Sequence, residues 1–212
     1  MPRRLPRFDA DFSAQIVASL ALVQRLEAAL ALRGQNGLLI TLTDVELAYE
    51  LAYLRVFVAW ESFLEEAFLR LMCGYEHSAG QEPLLPGSAY HSKISDAEAA
   101  LLNGRQYVLW HNVSSVIGRA AGNFRNSRFE NILASAQQRL AHFGAIRHRI
   151  AHEQKDGAQK FNAATMALAG KRYRAARPGR FLRDAQANAI PQTRWMSQVC
   201  AELEALAQQI CI

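Results

Sequence analysis

Three cysteines in 212 residues, Cys73, Cys200 and Cys211, are too few and too scattered for a disulfide framework. None forms a CxxC pair, so a zinc ribbon is excluded, and an odd number of thiols fits a reducing compartment. Six prolines and twelve glycines are few breakers for this length, which argues against an all-β chain full of tight turns. Uncharged runs are short as well. The best of them, Phe12 to Gln24, falls short of the roughly 20 residues a bilayer requires and is bracketed by Asp9, Asp11, Arg25 and Glu27. These absences lead to the expectation of a soluble cytoplasmic protein with no membrane segment. Lysine is nearly missing: 4 Lys stand against 20 Arg, so guanidinium supplies almost all of the positive charge behind a net +5. Arginine offers a planar fork of donors that matches phosphate oxygens, although a base-composition bias in the coding sequence produces the same excess.

What is present is helical periodicity. Half the residues are hydrophobic, enough for one well-filled core. From Phe12 to Leu32 apolar residues recur at Ile16, Leu20, Val23, Leu26 and Leu30, with Gly34 and Gly37 as the stop. Thr43 and Glu46 have the spacing of a capping box opening a long helix to about Cys73, whose VFVAW centre is apolar all round. Residues 74–94 read as an irregular loop. Ser95 and Glu98 suggest a second capping box, opening a short helix to Leu102, while 105–122 is ambiguous between helix and extended chain. A strong stripe runs from Arg128 to Glu153 through Leu133, Leu140, Phe143, Ile146 and Ile150, punctuated by Asp156-Gly157. A helix near 159–170, the basic stretch 171–183 and a helix from Thr193 to Ile210 complete the chain. The expected fold is all-α: a basic tip at 1–10, then a single-domain bundle of about five to seven helices over 11–212.

Most catalytic patterns are absent: there is no phosphate-binding GxxxxGK[ST], no GxSxG and no two-carboxylate metal cluster. His148 and His152 form an i,i+4 pair, but no third ligand accompanies them, so neither a metal nor another cofactor is expected. The aromatics Trp60, Phe63, Trp110 and Trp195 are read as core. Glu61 and Glu65 are candidates to salt-bridge the residues discussed next.

The segment AIRHRIAHE, Ala145 to Glu153, stands out. Arg147 is followed by a polar residue, His148, and four positions separate it from His152, with the apolar pair Ile150-Ala151 before the second histidine. Two other Arg–His pairs have comparable spacing, Arg70–His77 and Arg105–His111, but only the third has this context on a strong helix. The string resembles the R-x4-6-H signature of HEPN domains, helical bundles found in many ribonucleases, and the AWESFLEE helix is similar to the acidic, aromatic core helix of RiboL-PSP-type members. The resemblance implies an HEPN-like bundle and metal-independent RNA cleavage, in which the ribose 2′-OH attacks phosphorus to leave a 2′,3′-cyclic phosphate. It implies Arg147 and His152 as catalytic residues with His148 assisting, and a homodimer that composes the site from two copies. It further implies toxin or phage-defence roles, with an antitoxin or nucleotidyltransferase partner. A helix turns 500° over five residues, so Arg147 and His152 lie about 140° apart around one axis. That independently asks for a bend or a second copy.

The run from Lys171 to Arg183 holds Lys171, Arg172, Arg174, Arg177, Arg180 and Arg183 with no acid, interleaved with Tyr173 and Phe181. Such interleaving suits single-stranded RNA, pairing phosphate contacts with base stacking, and Arg125 and Arg128 are candidates to extend it. Without this run and the three arginines of residues 3–7, the rest of the chain carries 15 basic against 19 acidic residues. Beside catalysis stands the alternative of a helical RNA- or protein-binding module whose site is silent.

Overall fold

A computed structural model of the chain describes residues 3–32, 40–152, 154–187 and 190–212. Among them are nine α-helices: α1 (Phe8–Ala31), α2 (Leu42–Met72), α3 (Ile94–Leu102), α4 (Val113–Asn123), α5 (Arg128–Ser135), α6 (Gln137–Ala151), α7 (Lys155–Ala169), α8 (Pro178–Arg183) and α9 (Trp195–Cys211). The only sheet among the described residues is a hairpin of β1 (Glu76–His77) and β2 (Gly80–Gln81). The all-α class holds, with more and shorter helices than the periodicity indicates. The expected single stripe over 128–153 is two helices, because the chain leaves helical geometry at Ala136 (φ −104°, ψ 7°). Asp156-Gly157 lies inside the first turn of α7 rather than at a helix end. Gly34, Gly37 and Glu153 lie outside the described residues.

The caps also differ from expectation. The box at the start of α2 is Thr41–Asp44, not Thr43–Glu46: Asp44 N–H donates to Thr41 Oγ1 at 3.2 Å, and Thr41 N–H donates to Asp44 Oδ2 at 2.8 Å. Two placements of the same threonine–acid spacing compete here. The exposed pair caps, and Glu46 turns into the protein, 5% exposed. At α3 the cap position is Lys93, with no side-chain cap, and Ser95 falls within the first turn. The ambiguous segment becomes helix only from Val113, where Asn112 Oδ1 accepts the Ser115 N–H at 3.2 Å.

Compactness divides the described residues into two units. The first holds residues 3–12, 59–141 and 204–212, and the second 13–32, 40–58, 142–152, 154–187 and 190–203. In the first, Phe68 of α2 meets Trp110, Phe124 and Phe129 edge-on, with ring centroids 5.4–5.7 Å apart. Phe12, Trp60 and Phe63 form a second cluster. The tryptophans and Phe63 are thus core, as expected. Glu61 lies 3.7 Å from His111, in this unit. In the second unit, Phe181 packs on Trp195, Tyr173 and Phe161, with centroids 5.2–6.2 Å apart. Val58, inside the supposedly all-round apolar centre of α2, is 55% exposed. All three cysteines are free thiols.

Among the described residues, α1 has the length and composition of a membrane span, with mean hydropathy 1.3 over its most apolar window. The helix carries on past Gln24, where the uncharged run ends, through Arg25 and Glu27 to Ala31. It presents Phe12, Ile16, Ser19 and Val23 as one buried row.

Glu82 anchors the first unit. It is 2% exposed and accepts the N–H groups of Arg128 (3.0 Å) and Phe129 (2.9 Å) at the start of α5, while His77 Nε2 faces its Oε1 at 3.3 Å. Burial pushes its pKa up, but His77 and the two amides outweigh this and hold it below the usual value of about 4.5. A carboxyl depressed on folding contributes stability above its unfolded pKa and loses it as pH falls through the folded one. Acid titration below about pH 4.5 should therefore show a loss of stability that Glu82→Gln blunts. Parallel wild-type and variant curves by circular dichroism would refute this role.

Candidate functional site

The conspicuous residues of the sequence gather in the second unit. Tyr53 of α2, fully buried, donates its hydroxyl to the Phe143 carbonyl of α6 at 2.8 Å. Phe143 and Ile146 fill the core beneath, which leaves the last turn of α6 at the surface. Arg147 and His148 are half-buried there, and His152, one residue beyond the helix end, is exposed. The two imidazoles stand 4.9 Å apart, centroid to centroid. His148 Nε2 lies 3.8 Å from Asp156 Oδ1. The Asp156 carboxyl is held below its usual range, chiefly by the Lys160 ammonium at 2.8 Å, with His148 adding to the effect. Gly157 admits this arrangement: a Cβ there would sit 3.3 Å from the His152 carbonyl and 3.4 Å from His148 Cδ2. Among the described residues no group of three His, Cys, Asp or Glu side chains is placed to hold a metal ion.

The basic run folds differently from its expected role. Tyr173 is extended (φ −100°, ψ 127°), so its neighbours Arg172 and Arg174 share the face opposite to it. The ring points into the core, 7% exposed, and its hydroxyl donates to Asp184 Oδ2 at 2.6 Å. Burial and this bond push the phenol far above its ordinary pKa. Phe181 is fully buried in α8. Neither aromatic is a stacking platform, which corrects the expectation: an apolar residue every few positions along a short helical segment is what the core requires. Three of the six cations have acidic partners. Lys171 contacts Asp184 at 2.5 Å, Arg177 contacts Glu46 at 2.8 Å and Arg183 forms a two-pronged pair with Glu27 at 2.8 and 3.1 Å. Arg172, Arg174 and Arg180 are exposed, with no acidic partner among the described residues. Arg125 and Arg128 belong to the first unit.

These cations line one cleft of about 990 Å³, joined by Arg194, which the sequence reading missed because it is an isolated charge ahead of α9. Arg194 is 3.3 Å from Glu27 and donates to the Arg183 carbonyl at 2.6 Å. Seven Lys and Arg side chains therefore face two carboxylates, Glu46 and Asp184. Arg149, also missed, links the two features: its Nε donates to the Ala176 carbonyl at 3.2 Å, tying α6 to the turn that follows Arg174. Comparison of the chain with protein-family models, curated proteins and solved structures finds no match.

Proposed function

We propose that the protein is a metal-independent endoribonuclease of the HEPN type, acting in the cytoplasm on RNA as a homodimer. The observation that carries this reading is the pair of imidazoles at the end of α6, 4.9 Å apart, the first of them next in sequence to Arg147. Two histidines are what 2′-OH transesterification uses, one to take a proton and one to return it. The exposed His152 accepts the 2′-OH proton, the 2′ oxygen bonds to phosphorus, and the bond from phosphorus to the 5′ oxygen breaks. A protonated imidazole, His148 of the same chain or a histidine of a second copy, gives its proton to the leaving oxygen. The Arg147 guanidinium offsets the negative charge that grows on the phosphorane oxygens. The second copy follows from the resemblance, which pairs the motifs of two chains across a dimer groove. Roles as a toxin or in phage defence follow from the same resemblance.

RNA incubated with the purified protein in EDTA should yield fragments ending in 2′,3′-cyclic phosphate, and a 2′-deoxy substrate should stay intact. Cleavage that requires a divalent cation, or that proceeds on the 2′-deoxy substrate, refutes the mechanism. The second reading, a binding module with a silent site, is favoured by the cationic cleft, which is complete without either histidine. Retained RNA binding with no cleavage would select it.

A further inference from the structure

The cleft gathers its charge by tertiary design rather than by sequence run alone. Extended chain at Tyr173 sets Arg172 and Arg174 on one side. The next turn is held in left-handed geometry at two non-glycine residues, Ala175 (φ 59°) and Ala176 (φ 47°), each costing about 1 kcal/mol or more. That reversal sends the chain into α8, which presents Arg180 to the same cleft. Lys171, Arg177 and Arg183 are already neutralised by carboxylates. Arg172, Arg174 and Arg180 have no carboxylate partner among the described residues, and like charges converging on one concavity are unfavourable until an anion joins them.

We infer that this cleft is a receptor for an oligophosphate, a chain of three or more linked phosphates. Single-stranded RNA along its length asks for cations spread on a track, with aromatic rings between them. Here the cations converge, Phe181 is fully buried, and Tyr173, which borders the cleft, is 7% exposed with its hydroxyl tied to Asp184, so the lining recognises phosphate density and leaves the base unread. Guanidinium forks suit several adjacent phosphate oxygens better than one isolated phosphate. A volume of about 990 Å³ accommodates a nucleotide-sized ligand. Three sources carry this chemistry: the 5′-triphosphate end of an RNA, a nucleoside triphosphate, and inorganic polyphosphate. The inference stands on the cleft's own residues, and it holds whether or not the histidines cleave RNA.

Titration calorimetry on the full chain tests it, with inorganic tripolyphosphate and orthophosphate as probes. Tripolyphosphate should saturate one site at least about tenfold more tightly than orthophosphate. The double variant R172Q/R174Q should weaken tripolyphosphate about tenfold or more, whereas R25Q, an exposed arginine outside the lining, should not. Thermal unfolding verifies that the double variant is folded, and R180Q alone serves in its place if it is not. Equal affinity for the two probes, or unchanged tripolyphosphate binding in the cleft variants, overturns the site. A preference above about tenfold among nucleoside triphosphates differing only in base overturns recognition by phosphate alone. Tighter binding of a 5′-triphosphate RNA than of the same RNA with a 5′-hydroxyl assigns the RNA end. Equal binding of the two RNAs alongside tight tripolyphosphate assigns a free oligophosphate. Cleavage in EDTA, measured in parallel, reports on the ribonuclease separately: its absence alone leaves the cleft standing.

Discussion

Replacing His152 by alanine should lower the rate of RNA cleavage by about 10²–10⁴-fold, the usual contribution of a positioned acid or base. The thermal midpoint should scarcely move. His152 is exposed and sits beyond the last residue of α6, so removing its imidazole opens no cavity, and surface substitutions of this kind stay within about 0.5 kcal/mol. Its backbone N–H, which donates to the His148 carbonyl at 2.9 Å, is untouched by the change. Activity and stability therefore separate cleanly at this position. His148 offers no such separation: it is half-buried and contacts both Asp156 and the His152 ring, so its removal disturbs packing as well as chemistry. Cleavage assays on folded H152A protein decide the matter, and a rate equal to wild type would sink the catalytic assignment.

The second large effect is structural. Gly179→Ala should destabilise the protein by about 3 kcal/mol, lowering the midpoint by about 6–12 °C. Gly179 lies in α8 where that helix crosses α2, and an added Cβ would stand 2.2 Å from the Glu46 carbonyl oxygen and 2.7 Å from its carbon. Backbone cannot swing aside as a side chain can, so α8 must lift. Lifting it breaks the bond from Gly179 N–H to Glu50 Oε1 at 2.8 Å and unseats the fully buried Phe181 and Leu182. It also displaces Arg177, Arg180 and Arg183, so the same variant should lose tripolyphosphate binding. Gly118→Ala is the matched control. That glycine is in mid-α4 with nothing within 4 Å of a new Cβ, so alanine there should stabilise by roughly 0.5–1 kcal/mol. Equal midpoints for the two variants would refute the close approach of α8 to α2.

The helices were legible because their apolar residues repeat with helical period, and the repeats were longest where the helices are. α2 and α9 lie within a residue or two of expectation for this reason. Breaks were harder. Ala136 is neither glycine nor proline, and the stripe crosses it without interruption, so only the folded chain shows the kink there. Capping boxes failed by two residues at α2 because Thr41–Asp44 and Thr43–Glu46 satisfy nearly the same pattern, and burial of Glu46 against Arg177 decides between them.

The candidate site divides in the same way. Arg147, His148 and His152 could be picked out from local sequence, and the four-position spacing of the two histidines is what sets their rings side by side. The sequence also determined that the chain is all-α and that its positive charge is arginine, gathered in 171–183. It could not tell which of those arginines are neutralised. Their partners are remote in sequence: Glu27 is 156 residues from Arg183, and Glu46 comes from the first turns of α2. Nor could it tell that Tyr173 and Phe181 are core. Aromatic residues between arginines look alike whether they stack on bases or pack on Trp195, and only the tertiary structure puts Trp195 beneath Phe181 at 5.2 Å. Local spacing is set by the backbone and can be read from the sequence; charge pairing and burial depend on which distant segments meet.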